Sequence, residues 1–172
     1  NYVEQFSLFV ESMELQGRLI YFEGDTILKN IAQHTSRIDV VAFPYKTPKY
    51  EIRDGKTFVK TRKGMVELKI FGEHNLQNME AARLACKQVG IMEDRFYEAI
   101  ADFPGASNRM QKIVEMPDRV AFKDFAHSPS KLKATVKAAR NQYPTRKLIA
   151  CMELHTFSSL TEEFLPQYAG SM

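Results

Sequence analysis

Two turn dipeptides within one alternating stretch constrain the fold more than any other feature of the sequence. Residues 50–72, YEIRDGKTFVKTRKGMVELKIFG, alternate apolar and polar side chains around Asp54-Gly55 and Lys63-Gly64. Alternation with a period of two is typical of strands that expose one face, and both dipeptides are turn signals. The stretch therefore predicts an antiparallel meander, with the basic cluster KTRK at residues 60–63 as a solvated hairpin tip.

The residues before the meander alternate between helical and strand-like patterns. Apolar side chains recur at helical spacing over residues 2–13 and 26–36, while residues 18–24 and 38–43 are short apolar runs. Asp25 or Thr26 would cap the second helix. Helices and strands in alternation predict an α/β fold with parallel strand pairing.

Two helices are predicted after the meander, over residues 75–90 and 93–103. The first carries an apolar stripe that we interpret as core rather than as a cofactor site. The stripe consists of Met79, Ala82, Ala85, Cys86 and Val89.

A break rich in Pro, Gly and small polar residues follows, at FPGASN, residues 103–108. Beyond it, residues 111–126 read as two strands, and residues 129–143 as a helix with Ser128 as N-cap. Residues 147–154 predict a further buried strand. Strand, helix and strand at this spacing predict a βαβ unit. We place a domain boundary after residue 103 and expect the second domain to be incomplete.

Composition excludes several classes of protein. The 172 residues are 44% hydrophobic and 26% charged, and no apolar run approaches the length of a membrane span. Charges of both signs are mixed, so the net charge of +3 does not call for a nucleic acid. Cys86 and Cys151 lack metal-ligand spacing and read as reduced core thiols. We expect a cytoplasmic protein without a membrane segment or a metal site, and a piece of a longer chain.

The first polar cluster lies at a predicted helix start and consists of His74, Asn75 and Asn78. The asparagines would cap the helix, since Asn accepts hydrogen bonds from free amides. Alternatively, the positive helix end together with three polar side chains would bind phosphate or a polar heterocycle.

Two further polar groups follow the break. Arg109 would be either a surface side chain or a phosphate contact. Asp124 ends a predicted strand, where a carboxylate suits ribose hydroxyls, and His127 lies near the next helix start. The alternative interpretation is that Asp124 and Ser128 serve a turn and a cap. We interpret His34 and His155 as structural.

Taken together, these motifs resemble the Mur ligases of peptidoglycan synthesis. The resemblance rests on four motifs that occur in the family's order: GEHNLQN at 72–78, FPGASNRMQ at 103–111, DFAHSPSKLKAT at 124–135 and YPTRKLIACMELHTFSS at 143–159. It implies that residues 1–103 are the latter half of a central ATPase domain and that residues 104–172 begin a Rossmann-like C-terminal domain. The sequence contains no phosphate loop of the form GxxxxGK(S/T). The resemblance places that loop upstream.

The resemblance also implies roles for single residues. Asn75 and Asn78 would lie near adenine with His74 beside them, Asp124 would bind ribose, and His127 would occupy an adjacent nucleotide-contacting position. The catalytic residue would be Arg109, which would reach the nucleotide phosphates when the domains close. ATP and Mg²⁺ are implied, with the metal ligands mainly outside this chain.

Within the family, the chain most resembles the branch that acts on UDP-N-acetylmuramate. The implied reaction joins recycled murein tripeptide to that substrate through an acyl phosphate. L-Alanine as the acceptor, folylpolyglutamate synthesis and a non-catalytic nucleotide-binding module remain alternatives. Asn108 stands where many members of the branch have a first arginine, and Ser128 stands where a second histidine is common.

Overall fold

The computed structural model describes residues 1–154 and 161–172. It confirms a mixed α/β fold. The helices are α1 (Tyr2–Glu11), α2 (Thr26–His34), α3 (Glu73–Gln88), α4 (Glu93–Ala101), α5 (Pro129–Gln142) and a 3₁₀ helix (Leu165–Tyr168). The strands are β1 (Arg18–Phe22), β2 (Val41–Tyr45), β3 (Tyr50–Arg53), β4 (Lys56–Thr61), β5 (Gly64–Leu68), β6 (Gln111–Glu115) and β7 (Val120–Lys123). The motif HTFSS, including His155, lies outside the described residues.

The chain divides into two compact units. The first contains residues 1–48 and 77–96, and the second contains residues 49–76 and 97–172. None of the helices in the described ranges is both long enough and apolar enough to cross a membrane.

In the first unit, β1 and β2 pair in parallel, as predicted, with Leu19 opposite Ala42. Asp25 caps α2, because its carboxylate accepts from the amides of Ile27 and Leu28 at 2.9 and 3.1 Å. Strand β2 begins at Val41, three residues later than predicted, since Ile38 lies fully exposed in a turn.

Contacts between Arg37 and the end of α1 explain the turn at Ile38. The Arg37 guanidinium donates to the backbone carbonyls of Glu11 and Met13 at 2.7 and 2.6 Å. It also pairs with Asp39 at 2.8 Å, and this hydrogen-bonded pairing holds the pKa of the Asp39 carboxyl well below its ordinary value. Arg37 thus supplies hydrogen-bond donors at the C-terminal end of the helix, where backbone carbonyls lack helical partners.

In the second unit, β3, β4 and β5 form the predicted antiparallel meander. Asp54 and Gly55 have φ values of 50° and 72°, and a type I′ hairpin turn requires such positive values at both central residues. Arg62 and Lys63 form the tip of the next hairpin, as predicted. Strands β6 and β7 also pair antiparallel.

The core of the second unit joins the end of the meander to the residues that follow the break at 103–108. Phe71, Met110 and Ala138 are all buried in one cluster, against which Phe122 and Ala139 pack. The rings of Phe71 and Phe122 lie 5.0 Å apart between centroids. Helix α5 and the loop before β6 are therefore held on the residues that lead into α3.

A buried polar contact supports the same packing. The side chain of Gln142, which is 3% exposed, accepts from the Thr57 hydroxyl at 3.0 Å. Its amide also donates to the Gly55 carbonyl at 2.6 Å. Both polar ends of Gln142 are thus satisfied, and they fix the end of α5 to the first hairpin of the meander.

The predicted strand over residues 147–154 is wrong. These residues form no strand in the structure, and Ile149 is 80% exposed. Cys151 is also exposed, so it is not a core thiol. An apolar run becomes a strand only where a neighbouring strand pairs with its backbone, and β7 pairs with β6 in the only described sheet after the break. The predicted βαβ unit is therefore absent from the described residues.

The predicted stripe of α3 is only partly correct. Met79 is buried, whereas Ala82, Ala85 and Val89 are exposed. Helical periodicity identifies an apolar face, but burial also requires a neighbouring element to cover it.

The Gln142 contact yields a prediction for stability. Gln142→Leu would leave the buried Thr57 hydroxyl without a partner, so we expect the free energy of unfolding to fall by about 1–3 kcal/mol. Adding Thr57→Val removes that hydroxyl and should recover part of the loss. Urea unfolding of the single and double variants measures both effects.

Asn141→Leu is the matched control, because Asn141 is exposed on the same helix and undergoes the same polar-to-apolar change. It should change the free energy of unfolding by less than about 0.5 kcal/mol. Equal losses in the two leucine variants would contradict a role for the buried hydrogen bonds.

Candidate functional site

The start of α3 is built on Gly72. The Gly72 carbonyl accepts from the amides of Asn75 and Leu76 at 3.0 and 3.1 Å, so Gly72 occupies the N-cap position. Its φ of 86° favours glycine, and a Cβ at this position would lie 2.7 Å from the Cβ of Ala138. The close approach brings His74 near α5 and the residues around it.

The interpretation of the two asparagines as helix caps is wrong. The Asn75 side chain lies inside the first turn and donates to the Phe71 carbonyl at 2.8 Å, whereas an N-cap side chain accepts from an amide. Asn78 lies further along α3, in the first unit, and is exposed. Neither side chain caps α3, and the structural contact of Asn75 is instead its hydrogen bond to the Phe71 carbonyl.

His74 is half-buried and lies within electrostatic range of two other predicted site residues. Burial lowers the pKa of its imidazole, the Asp124 carboxylate opposes that shift, and the Arg109 guanidinium adds to it. The structure thus brings His74, Arg109 and Asp124 together. The lowered pKa favours the neutral imidazole, which can serve as a hydrogen-bonding group without adding charge.

Arg109 presents an exposed guanidinium beside an aromatic ring. Its Cζ lies 5.7 Å from the centroid of the Phe125 ring, within the range of a cation–π contact. The preceding Asn108 has a φ of 55°. Asn tolerates this left-handed backbone better than most residues.

Asp124 directly follows β7, as predicted from the strand pattern. One carboxylate oxygen accepts from the Met110 amide at 2.8 Å, and the other accepts from the Thr135 hydroxyl at 3.2 Å. Each oxygen has two lone pairs, so both retain acceptor capacity for a ligand hydroxyl. Asp124 thus has a structural contact on each oxygen and remains able to bind ribose.

His127 also lies beside the Phe125 ring. Its Nδ1 is 3.0 Å from the Phe125 carbonyl, and the two rings are 5.0 Å apart between centroids. The hydroxyl of Tyr168 donates to the His127 carbonyl at 2.7 Å. The segment at 161–172 therefore helps to hold the loop that carries this histidine.

The start of α5 is suited to an anion. Ser128 occupies the predicted N-cap position and Pro129 the first helical position, but the Ser128 side chain makes no capping hydrogen bond. Its hydroxyl instead lies 3.4 Å from that of Ser130. A helix start without a side-chain cap offers amide donors and the positive end of the helix dipole.

Together these groups can bind a ligand that carries both phosphate and hydroxyl groups. Arg109 and the start of α5 supply positive charge, Asp124 supplies acceptors for hydroxyls, and His74 supplies a neutral polar edge. Sequence reasoning missed Phe125 and Thr135. A signal for Thr135 was present, since it is a polar residue on the helical face that also carries the buried Leu132, Ala138 and Gln142.

Comparison with known proteins extends this picture. No family model matches the chain. The UDP-N-acetylmuramate–L-alanine ligase of Desulfitobacterium hafniense is 26% identical over 174 residues, which cover 96% of this chain and 38% of that protein. The ligase of the same name from Levilactobacillus brevis is 37% identical over 109 residues, or 63% of this chain and 24% of that protein.

Solved structures agree on the fold. A murein peptide ligase from Psychrobacter arcticus matches with a TM-score of 0.63 and 20% identity, over 98% of this chain and 38% of that one. The UDP-N-acetylmuramate–alanine ligase of Thermotoga maritima matches with a TM-score of 0.62 and 17% identity, over 84% of this chain and 34% of that one. Both solved structures share the fold of this chain.

The Mur ligase relatives are longer than this chain, which spans well under half of their length. The fold of this chain matches a part of these longer ligase structures. A folylpolyglutamate synthetase from Lactobacillus casei shares the fold at a TM-score of 0.55 and 14% identity, over 81% of this chain and 39% of that one.

The environment of His74 predicts a pH dependence of stability. Burial lowers the pKa of folded His74 below the ordinary value of 6.5, which an unfolded chain retains. As the pH falls through about 6.5, the unfolded state takes up the proton first, and the folded state loses stability. Above about pH 6.5, the contribution of His74 to the free energy of unfolding is fully present.

We therefore expect His74→Gln to lose less free energy of unfolding than the wild type between about pH 7.5 and about pH 5.5. Urea titrations at the two pH values measure the difference. His34→Gln, which alters an exposed histidine in the first unit, should retain the wild-type dependence. The same pH dependence in His74→Gln and the wild type would show that His74 is not responsible.

Proposed function

We propose that this chain forms part of an ATP-dependent amide ligase that acts on UDP-N-acetylmuramate. The observation that supports this most directly is the convergence of Arg109, Asp124 and His74 in a chain related to the Mur ligases. In the implied reaction, the γ-phosphoryl group of ATP passes to the muramate carboxylate and ADP leaves. The incoming amine then attacks the acyl carbon, forming the amide bond with release of phosphate.

The proposed roles follow the chemistry of each side chain. Arg109 stabilises the negative charge of the phosphates, Asp124 accepts from the ribose hydroxyls, and His127 contacts the nucleotide beside them. His74 and Asn75 lie toward the adenine. The family resemblance also implies that Asn78 lies near the adenine. Asn78 belongs to the first compact unit.

The resemblance also implies Mg²⁺. Within residues 1–154 and 161–172, no group of three or more His, Cys, Asp or Glu side chains is placed to hold a metal ion. Since Mg²⁺ in such sites is held by one or two carboxylates together with substrate phosphates, we propose that its protein ligands lie mainly outside this chain.

The proposed domain boundary remains between residues 103 and 104. Residues 1–103 would belong to a central ATPase domain and residues 104–172 to a C-terminal domain, although residues 49–76 and 97–172 form one compact unit in this structure. A ligase of nucleotide-linked precursors would act in the cytoplasm.

The acceptor is the finer part of the proposal. We propose recycled murein tripeptide, in line with the four motifs and with a fold match to a murein peptide ligase over 98% of this chain. L-Alanine is the second candidate, because the relatives from Desulfitobacterium hafniense and Levilactobacillus brevis are named as L-alanine ligases. The alternative to both ligase reactions is a non-catalytic nucleotide-binding module.

Nucleotide binding by the complete protein, whose reading frame contains this chain, is the direct test of the site. Because a hydrogen bond to a charged group contributes about 1.5–3 kcal/mol, we expect Arg109→Ala to weaken ADP binding by about tenfold to a hundredfold. Isothermal titration calorimetry with ADP gives the dissociation constants.

Arg119→Ala is the matched control, because it removes the same charge from an exposed arginine of the same unit that pairs with Asp118. It should change the affinity for ADP by less than about threefold, since exposed ion pairs contribute little. An equal loss of ADP affinity in both variants would show that Arg109 acts only through the net charge of the protein.

The acceptor is tested on the complete protein encoded by the reading frame that contains this chain. With ATP, Mg²⁺ and UDP-N-acetylmuramate present, we expect ADP release on adding tripeptide and little on adding L-alanine. The opposite result would establish the L-alanine ligase, and nucleotide binding without release under either condition would establish a non-catalytic module.

A further inference from the structure

The loop that carries Arg109 has an unusual backbone. Asn108 and Met110, on either side of Arg109, have φ values of 55° and 46°. Left-handed backbone is uncommon in residues other than glycine and is strained, particularly for a bulky residue such as Met. Such a loop persists only where other contacts fix it.

Those contacts come from two consecutive residues. The Phe125 amide donates to the Asn108 carbonyl at 2.9 Å, and the Asp124 carboxylate accepts from the Met110 amide at 2.8 Å. The two hydrogen bonds therefore bracket Arg109 on both sides of its own backbone. The Phe125 ring completes the arrangement by lying beneath the Arg109 guanidinium, at 5.7 Å.

The anchoring carboxylate is itself held in place. The Thr135 hydroxyl, on α5, donates to the second oxygen of Asp124 at 3.2 Å. The Met110 side chain is 6% exposed and belongs to the buried cluster with Phe71 and Ala138. The loop is thus fixed through backbone and side chain by the strand end, by α5 and by the core.

We infer that Asp124 is the positioning residue for Arg109, and that its carboxylate, in addition to any contact with ribose, holds the arginine in the orientation that binds phosphate. The effect on phosphate binding rests on the proposed nucleotide-binding function. The hydrogen bond between the Asp124 carboxylate and the Met110 amide is present in the chain without ligand. A residue that binds only ribose would affect the sugar contact, whereas a positioning residue also controls the phosphate contact.

The selectivity for ADP over adenosine separates these two roles, because only ADP presents phosphates to Arg109. Arg109→Ala should lower that selectivity about tenfold or more. If Asp124 positions Arg109, Asp124→Ala lowers the selectivity to the same level, and combining the two substitutions lowers it no further. If Asp124 binds only ribose, Asp124→Ala weakens ADP and adenosine by the same factor, which would overturn the inference.

Asp124→Asn is the conservative rescue. Its side-chain oxygen can accept from the Met110 amide, and its amide can donate to the Thr135 oxygen, so the anchor is kept while the charge is removed. Its selectivity should stay within about threefold of the wild type. Should Asp124→Ala fail to fold, Asp124→Ser replaces it, because the shorter side chain does not reach Met110.

Hydrogen exchange of the chain without nucleotide tests the anchor separately. The Met110 amide should exchange at least about tenfold faster in Asp124→Ala than in the wild type or in Asp124→Asn. An unchanged exchange rate in Asp124→Ala would overturn the inference whatever the binding result. If the complete protein binds neither ADP nor adenosine, the proposed function fails, and the exchange rate alone decides whether Asp124 anchors the loop.

Discussion

The close packing of Phe71 and Gly72 against α5 is the contact on which the candidate site depends. Gly72 admits Ala138 at a distance that any side chain would block, and Phe71 packs beside it with Met110. The same contact places the start of α3, the Arg109 loop and the face of α5 in one region of the second unit. Each of these elements contributes a polar group to the site.

Packing of this kind explains how an exposed polar site can be well defined. Arg109 and His127 lie on loops, which are the parts of a fold least restricted by secondary structure. Hydrogen bonds to backbone atoms hold both loops. Phe125 and Asp124 bond to the backbone of the Arg109 loop, and the Tyr168 hydroxyl donates to the backbone of the His127 loop. Preorganisation of this kind reduces the ordering that a ligand would otherwise have to impose.

Local chemistry allowed much of this arrangement to be predicted from the sequence. The Asp54-Gly55 turn requires no partner to be recognised, and the Asp25 cap follows from a side chain and the amides two and three residues further on. The position of Asp124 at a strand end follows in the same way from the apolar run before it. These predictions depend on residues close together in the chain, where sequence patterns are most informative.

The predictions that failed depend on partners distant in the sequence. Residues 147–154 have the composition of a buried strand, but no described strand pairs with them, and Ala82 and Ala85 have helical spacing without a covering element. Asn75 was misread for a different reason. Its amide can donate or accept, and only the position of the Phe71 carbonyl decides between the two.

The charges of the site are connected in a way that single motifs do not reveal. Asp124 lies near enough to His74 to oppose the lowering of its pKa, and the same carboxylate fixes the backbone next to Arg109. A ligand that engages Asp124 would therefore act on a group that already orders the neighbouring cation. Sugar and phosphate recognition would then be physically linked, because both contacts depend on the position of one carboxylate.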